Sequence, residues 1–195
     1  KFYNIESKVL NFKDYGSNSS RTRTLVIGVR KDIDVNPEFL FPAKQSEKTI
    51  KQVIGDLKSL SKMGEISQDD IFHSFRRYNP EMRKWIKDLG EGQSAFDNID
   101  ISKVPHYYKN GDIIYCKKKN GDKYTRQCWD KVAPCIHTRN DILASQNTIH
   151  PHDDRVFSIR ELMRFMSIPQ DFKWTDKSLN ELNKLDNDNK QLFIK

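Results

Sequence analysis

The sequence predicts a mixed α+β fold: a pair of strands near the start, then a region of short helices and a β-hairpin, then a final capped helix. Three observations carry this. Two β-rich runs at residues 2–12 and 24–30 are joined by the turn-rich "KDYGSNSS". Capped segments of helical period come next. "GDIIYCKKKNGDKYTRQCW" combines β-rich flanks with Asn120-Gly121, a dipeptide suited to a type I′ turn.

In the first strand pair, "TLVIGVR" is a continuous apolar run, the pattern of a strand covered on both faces. Arg21 and Arg23, two apart at its mouth, point to the same side and form a two-pronged positive surface suited to a phosphate or a polar base edge. After Lys31 the texture turns polar, with Pro37 and Pro42, and a boundary is placed there.

Residues 46–64 place Ile50, Val53, Ile54, Leu57 and Leu60 at helical intervals, with Ser46 as candidate N-cap and Gly64 as stop. A second helix is expected in "NPEMRKWIKDLGEG", with Asn79 as cap, Pro80 in the first turn and Gly90 past the end. Such stripes are core packing far more often than binding grooves. In "RVFSIRELMRFMSIPQDFKW", Ser158 and Glu161 have capping-box spacing, so a helix starts at Ile159 and Pro169 ends it; Leu162, Phe165 and Met166 form its apolar face. The tail from Thr175 is a marginal helix or loop.

The 195 residues carry a net charge of +7, unevenly spread. Residues 1–32 hold seven basic and three acidic side chains, and residues 103–140 hold nine and three, so two basic patches point to a polyanion, most simply nucleic acid. A lysine-rich solvated surface is the plain alternative. No stretch of about 18 apolar residues is present, which excludes a membrane-spanning helix. The chain opens on Lys1 without a leader pattern and reads as a piece of something larger. Cys116, Cys128 and Cys135, odd in number and without paired short spacing, are expected as free thiols rather than as a zinc set with His137, and no metal is assigned.

Three separated stretches, in order, resemble one family. "KVLNFKDYGSNSSRTRTLVIGVR" is similar to the segment of DNA cytosine-C5 methyltransferases in which an Asp-Tyr-Gly loop leads into Gln-x-Arg-x-Arg and a buried strand. "RQCWDKVAPCIHTRND" resembles the segment closing the target recognition region, and "HPHDDRVFSIRELMRFMSIPQDFKW" resembles the family's His-Pro, Arg, Arg-Glu and Pro-Asp-Phe motif. "TIKQVIGDLKSLSKMGE" looks like a helix that comes after the two-arginine motif. The chain is therefore expected to be the C-terminal, target-recognising part of a bacterial, cytoplasmic enzyme of a restriction-modification system. The resemblance implies the last strands of a Rossmann-like methyltransferase sheet in residues 1–32, a target recognition domain in 33–155, and a return helix and tail in 156–195.

By position in the motif, Arg21 would meet the DNA backbone and Arg23 the flipped-out cytosine, which must leave the stack before carbon 5 can react. Ser158, Arg160, Glu161 and Pro169 would be structural, with Arg160 and Glu161 supporting packing between domains. Ser19 replaces the motif's Gln, and Met166 and Ile168 stand where Gln and Phe are frequent. The family's Pro-Cys-Gln, Glu-Asn-Val and Phe-x-Gly-x-Gly motifs are absent, so the attacking thiolate and most of the S-adenosylmethionine site are expected from a missing N-terminal catalytic part, on the same chain or a separate subunit. Without it the chain is expected to bind duplex DNA and transfer no methyl group. Pro134-Cys135 is followed by Ile136 and is read as a structural position. His150 and His152 receive no catalytic role.

Base reading is assigned to the hairpin and the segment after it, through Lys117, Lys119, Lys123, Arg126 and Arg139, with arginine for bidentate contact to guanine and lysine for the backbone. The alternative is a stand-alone DNA-binding specificity module without chemistry.

Overall fold

The computed structural model describes residues 2–117 and 122–194. Its strands form two separate antiparallel pairs: β1 (Tyr3–Asn11) with β2 (Thr22–Arg30), and β3 (His106–Lys109) with β4 (Asp112–Tyr115). Among the described residues five short α-helices accompany them: α1 (Ile50–Ile54), α2 (Pro80–Ile86), α3 (Ile159–Phe165), α4 (Leu179–Asn183) and α5 (Asn187–Phe193).

The β1–β2 ribbon forms where its β-rich runs predict it, in a register running from Tyr3 opposite Arg30 to Asn11 opposite Thr22. Its burial departs from expectation. Ile5, Val9 and Val26 are more than half exposed, and only Leu10 and Val29 are buried, so the apolar run is not covered on both faces by the described residues. Between the strands, Asn11 caps a 3₁₀ turn, Phe12–Tyr15, which Gly16 closes with φ 89°. The backbone angle favours glycine there, while a Cβ, which would lie 2.5 Å from Gln45 Oε1, would need only that flexible side chain to move.

α1 is shorter than the periodicity predicts. Thr49, not Ser46, is the N-cap, in a capping box with Gln52, and the helix stops at Gly55 rather than Gly64. Leu60, which shares the stripe, instead packs with Phe75, Trp85 and Ile86 in the largest core cluster. α2 starts at the expected Asn79 cap but ends at Lys87, where Asp88 takes φ 68°, before Gly90. α3 starts at Ile159 behind the Ser158–Glu161 capping box. Phe165 and Met163 are its buried apolar residues, whereas Met166 is 55% exposed, because the chain turns at Ser167 (φ 57°). The tail forms α4 and α5, and Leu182 packs on Ile71, Phe72 and Met163.

The hairpin turn also differs from expectation. The β3–β4 turn is Asn110-Gly111, both with positive φ as a type I′ turn requires, one Asn-Gly dipeptide earlier than predicted. Asn120-Gly121 lies outside the described residues. The stretch after it joins the body through isolated bridges, Lys123 to Gln146, Thr125 to Ser94 and Arg126 to Ile149, rather than as a hairpin strand.

Candidate nucleic-acid interface

The loop carrying the two arginines is held by the other two segments that resemble the family. Ser19 bridges Ala133, and Ser20 N–H donates to the Ala133 carbonyl at 2.8 Å. The Arg21 guanidinium donates to the Ile136 carbonyl at 3.4 Å and lies 3.9 Å from Cys135 Sγ. Asn18 Nδ2 donates to the Arg164 carbonyl at 2.8 Å, and Asn18 N–H to Ser167 Oγ at 3.2 Å, fixing the loop to the end of α3. Three stretches far apart in sequence therefore meet at residues 18–21.

Within this junction Asn11 Oδ1 accepts the N–H groups of both Lys13 and Arg21, and Asn11 Nδ2 donates to Ser20 Oγ at 2.9 Å. Phe12 N–H donates to the Arg21 carbonyl at 3.0 Å, which extends the ladder past Thr22. Arg21, just before β2, and Arg23, its second residue, thus stand two apart along an extended segment. Arg23 is exposed, and one Nη donates to the Thr22 carbonyl at 2.7 Å, leaving most of its donor fork open. Ser19, in the place of the motif's Gln, is buried and holds the loop through its backbone.

The other basic residues separate sharply. Lys117 and Arg139 are exposed, and Lys123 is half-buried. Lys119 lies outside the described residues. Arg126 is only 4% exposed. Its Nη1 donates to the carbonyls of His150, His152 and Asp153, and its Nη2 to the Ile86 carbonyl at 2.8 Å and to Asp154 Oδ1 at 2.6 Å. A guanidinium enclosed this way has no edge to present to a base, so its assignment to base reading is corrected to a tie between α2 and the 150–154 turn.

A buried ionic network lies behind the junction. Arg155 is fully buried; it makes a two-pronged pair with Glu161 at 2.8 Å for each bond, and its Nε donates to Asp153 Oδ2 at 2.9 Å. Asp153 also accepts from Ser59 Oγ at 2.6 Å and Leu60 N–H at 3.0 Å. Burial opposes charge on both carboxyls, but Arg155 and these hydrogen bonds outweigh it and hold Asp153 and Glu161 below their ordinary values. His150 Nδ1 accepts the Asp153 N–H at 2.8 Å, and burial pushes the imidazole down to about 4 despite Glu161 nearby.

Arg160 makes a second pair, to Asp70 at 2.5 and 3.1 Å, and lies over the Phe72 ring. Ser158 Oγ meets His73 Nδ1 at 2.9 Å, while His73 Nε2 must carry the proton to reach the Lys58 carbonyl at 2.7 Å. Arg155 was not singled out from sequence. An arginine between an acidic turn and a buried apolar run was the available signal.

The thiols and the glycine-rich stretch bear on the chemistry. Cys135 is exposed, beside Arg21 and the Ile136 carbonyl. Cys128 instead groups with Glu91 and Asp130, and burial and the two carboxylates raise its thiol. Among the described residues, the glycine-rich stretch does not fit a cofactor loop for S-adenosylmethionine. The Gly90-Glu91-Gly92 stretch comes after α2 rather than after a strand, and it closes on itself through a Gly90 N–H bond to Gln93 Oε1 at 2.8 Å.

The family model for C-5 cytosine-specific DNA methylases matches residues 2–185. The Type II methyltransferase M1.HgaI of Avibacterium volantium is 30% identical over 190 residues, covering 89% of this chain and 48% of that protein. The Type II methylase M.HgiDII of Herpetosiphon aurantiacus is 24% identical over 186 residues, covering 88% and 47%. A solved structure of a candidate DNA modification methyltransferase from an E. coli prophage shares the fold, with a TM-score of 0.50 at 17% identity over 84% of this chain and 49% of that one. The chain thus spans about half the length of these relatives.

One expectation is overturned. The match is to the methylase model as such and spans residues 2–185, most of the chain, rather than two end segments around a recognition region, so the chain is not assigned as a C-terminal target-recognition part. With the two-arginine junction built from segments that all fall inside the matched range, the chain belongs to the C-5 cytosine-specific DNA methylase family.

Proposed function

We propose that this chain works in methyl transfer to carbon 5 of cytosine in duplex DNA, within a bacterial restriction-modification system, and that the junction at residues 18–21 faces the DNA. Arg21 meets the phosphate backbone and Arg23 the extruded cytosine. The observation that carries this reading is the convergence of the three family-like segments on residues 18–21, which include Arg21, with the fork of nearby Arg23 left open. Lys117, Lys119, Lys123 and Arg139 add contacts to the DNA from residues 33–155, which we take as the region that reads sequence. Ser158, Arg160, Glu161 and Pro169 shape the return of residues 156–195 towards the junction.

The thiolate and the S-adenosylmethionine site come from protein beyond these 195 residues, in the same chain or a partner subunit, and the setting is the bacterial cytoplasm. The sequence without Pro-Cys-Gln also fits a DNA-binding specificity module with no chemistry. Binding of the purified chain to duplexes with a paired or a mismatched cytosine tests the proposal, since an unpaired base costs less to extrude. Salt-dependent binding is expected, with a preference for the mismatch that Arg23→Ala removes and Arg21→Ala retains at lower overall affinity. Equal effects of the two substitutions on both duplexes contradict the assigned roles. Methyl transfer from S-adenosylmethionine by the purified chain alone contradicts the external thiolate.

A further inference from the structure

The β3–β4 hairpin packs mainly on itself and stands out from the body. Its base is anchored: the His106 ring lies 5.4 Å from the Trp85 ring, and Cys116 N–H donates to the Pro105 carbonyl at 2.8 Å. Beyond the anchor the register sorts the side chains onto two faces. Tyr108 stands opposite Ile113 on the face of His106 and Tyr115, and Tyr107 stands opposite Ile114 on the other face. Tyr107 is 51% exposed and Tyr108 69%, so both faces present an uncovered aromatic ring.

A ribbon of four residues per strand is marginal in water by itself, and large apolar groups left exposed on it mark a contact surface. The two-sided exposure discriminates among partners. A flat protein surface covers one face of a ribbon, whereas a groove touches both. The major groove of B-DNA is about 12 Å wide and admits a two-stranded β-ribbon. The charge is complementary as well: Lys109 at the turn and Lys117 just beyond β4 are exposed and outnumber Asp112.

We infer that the β3–β4 hairpin enters the major groove, where Tyr107 and Tyr108 touch base edges and thymine methyl groups while Lys109 and Lys117 meet phosphate. This rests on the proposal that the chain binds duplex DNA. Tyrosine suits the task because its ring gives apolar contact and its hydroxyl both donates and accepts. The tyrosines then add affinity through the bases without adding to the number of phosphates neutralised.

The experiment uses the full chain and a fluorescein-labelled duplex pool of random sequence. Binding is followed by anisotropy over a salt series for the wild type and for Tyr107→Ala/Tyr108→Ala. The expected result is an affinity loss of about tenfold or more at every salt concentration, with the slope of log affinity against log salt unchanged. Both residues are exposed, and circular dichroism of the variant checks that the fold is kept. A second arm replaces thymine by 5-iodouracil, whose iodine projects into the major groove, and maps photocrosslinks by mass spectrometry. Crosslinks on residues 106–115 are expected. Wild-type binding with an unaltered double variant, or with crosslinks only elsewhere, overturns the inference and leaves the proposed function standing. A wild-type chain that binds no duplex even at low salt overturns both.

Discussion

Two sets of arginines serve this molecule in opposite ways. Arg126, Arg155 and Arg160 are almost wholly buried, and each spends its guanidinium on carboxylates or carbonyls of its own chain. Arg23 and Arg139 are exposed, and Arg21 is half-buried and engages one carbonyl. A basic residue in this chain thus declares its role by its partners, not by its place in a basic segment. Arg126 and Arg139 lie in the same lysine-rich stretch, yet one ties the fold together and the other faces outward.

The largest expected break of this contrast is in the buried set. Glu161→Ala takes away the two-pronged partner of the buried Arg155, leaving it with Asp153 alone, and is expected to cost about 3–5 kcal/mol in urea unfolding. An Arg155→Met/Glu161→Leu double variant should recover part of that loss, because the buried cation is gone and Asp153 keeps its bonds from Ser59 Oγ and Leu60 N–H. A double variant as unstable as the single one contradicts the pair as the source.

Next in size is the response to acid. His150 drops from an ordinary 6.5 to about 4 in the folded chain, so the unfolded chain takes up a proton first as pH falls. Its contribution to stability is complete above 6.5 and is lost between there and about 4, amounting to roughly 3 kcal/mol. Asp153 and Glu161, both held low, add losses of the same sign as pH falls below the ordinary carboxylate range. His150→Gln should flatten the upper part of the curve; an unchanged slope between pH 6.5 and 4 assigns it elsewhere.

A smaller effect is expected from Arg126→Lys, about 1.5–3 kcal/mol, since a lysine cannot span the carbonyls and Asp154 together. DNA affinity per folded molecule should stay at the wild-type level. Arg21→Ala and Arg139→Ala should each change stability by at most about 0.5 kcal/mol while weakening DNA binding.

Legibility in the sequence depended on how local the cause was. The β1–β2 pairing and the start of α3 were readable because β-rich runs around a turn-rich loop and a Ser-x-x-Glu box act within a few residues. α1 was overextended because its stripe of apolar residues continues past Gly55, and tertiary packing, not helix, buries Leu60. Two Asn-Gly dipeptides competed for the hairpin, and the one at Asn110-Gly111 closes the observed ribbon. The exposed faces of β1–β2 were not legible either, since an apolar run does not state whether its cover lies in the same chain. The cage around Arg126 draws on residues 86 and 150–154, a long-range arrangement with no local signature.

The salt dependence of duplex binding, measured side by side for the wild type, for Arg21→Ala/Arg23→Ala/Arg139→Ala and for Arg126→Lys, is the sharpest test of the division between the two arginine sets. The triple variant should bind more weakly, and its slope of log affinity against log salt should be shallower by about one unit or more, while Arg126→Lys keeps to the wild-type curve. A triple variant with wild-type affinity and slope, or an Arg126→Lys curve that matches the triple variant, contradicts it.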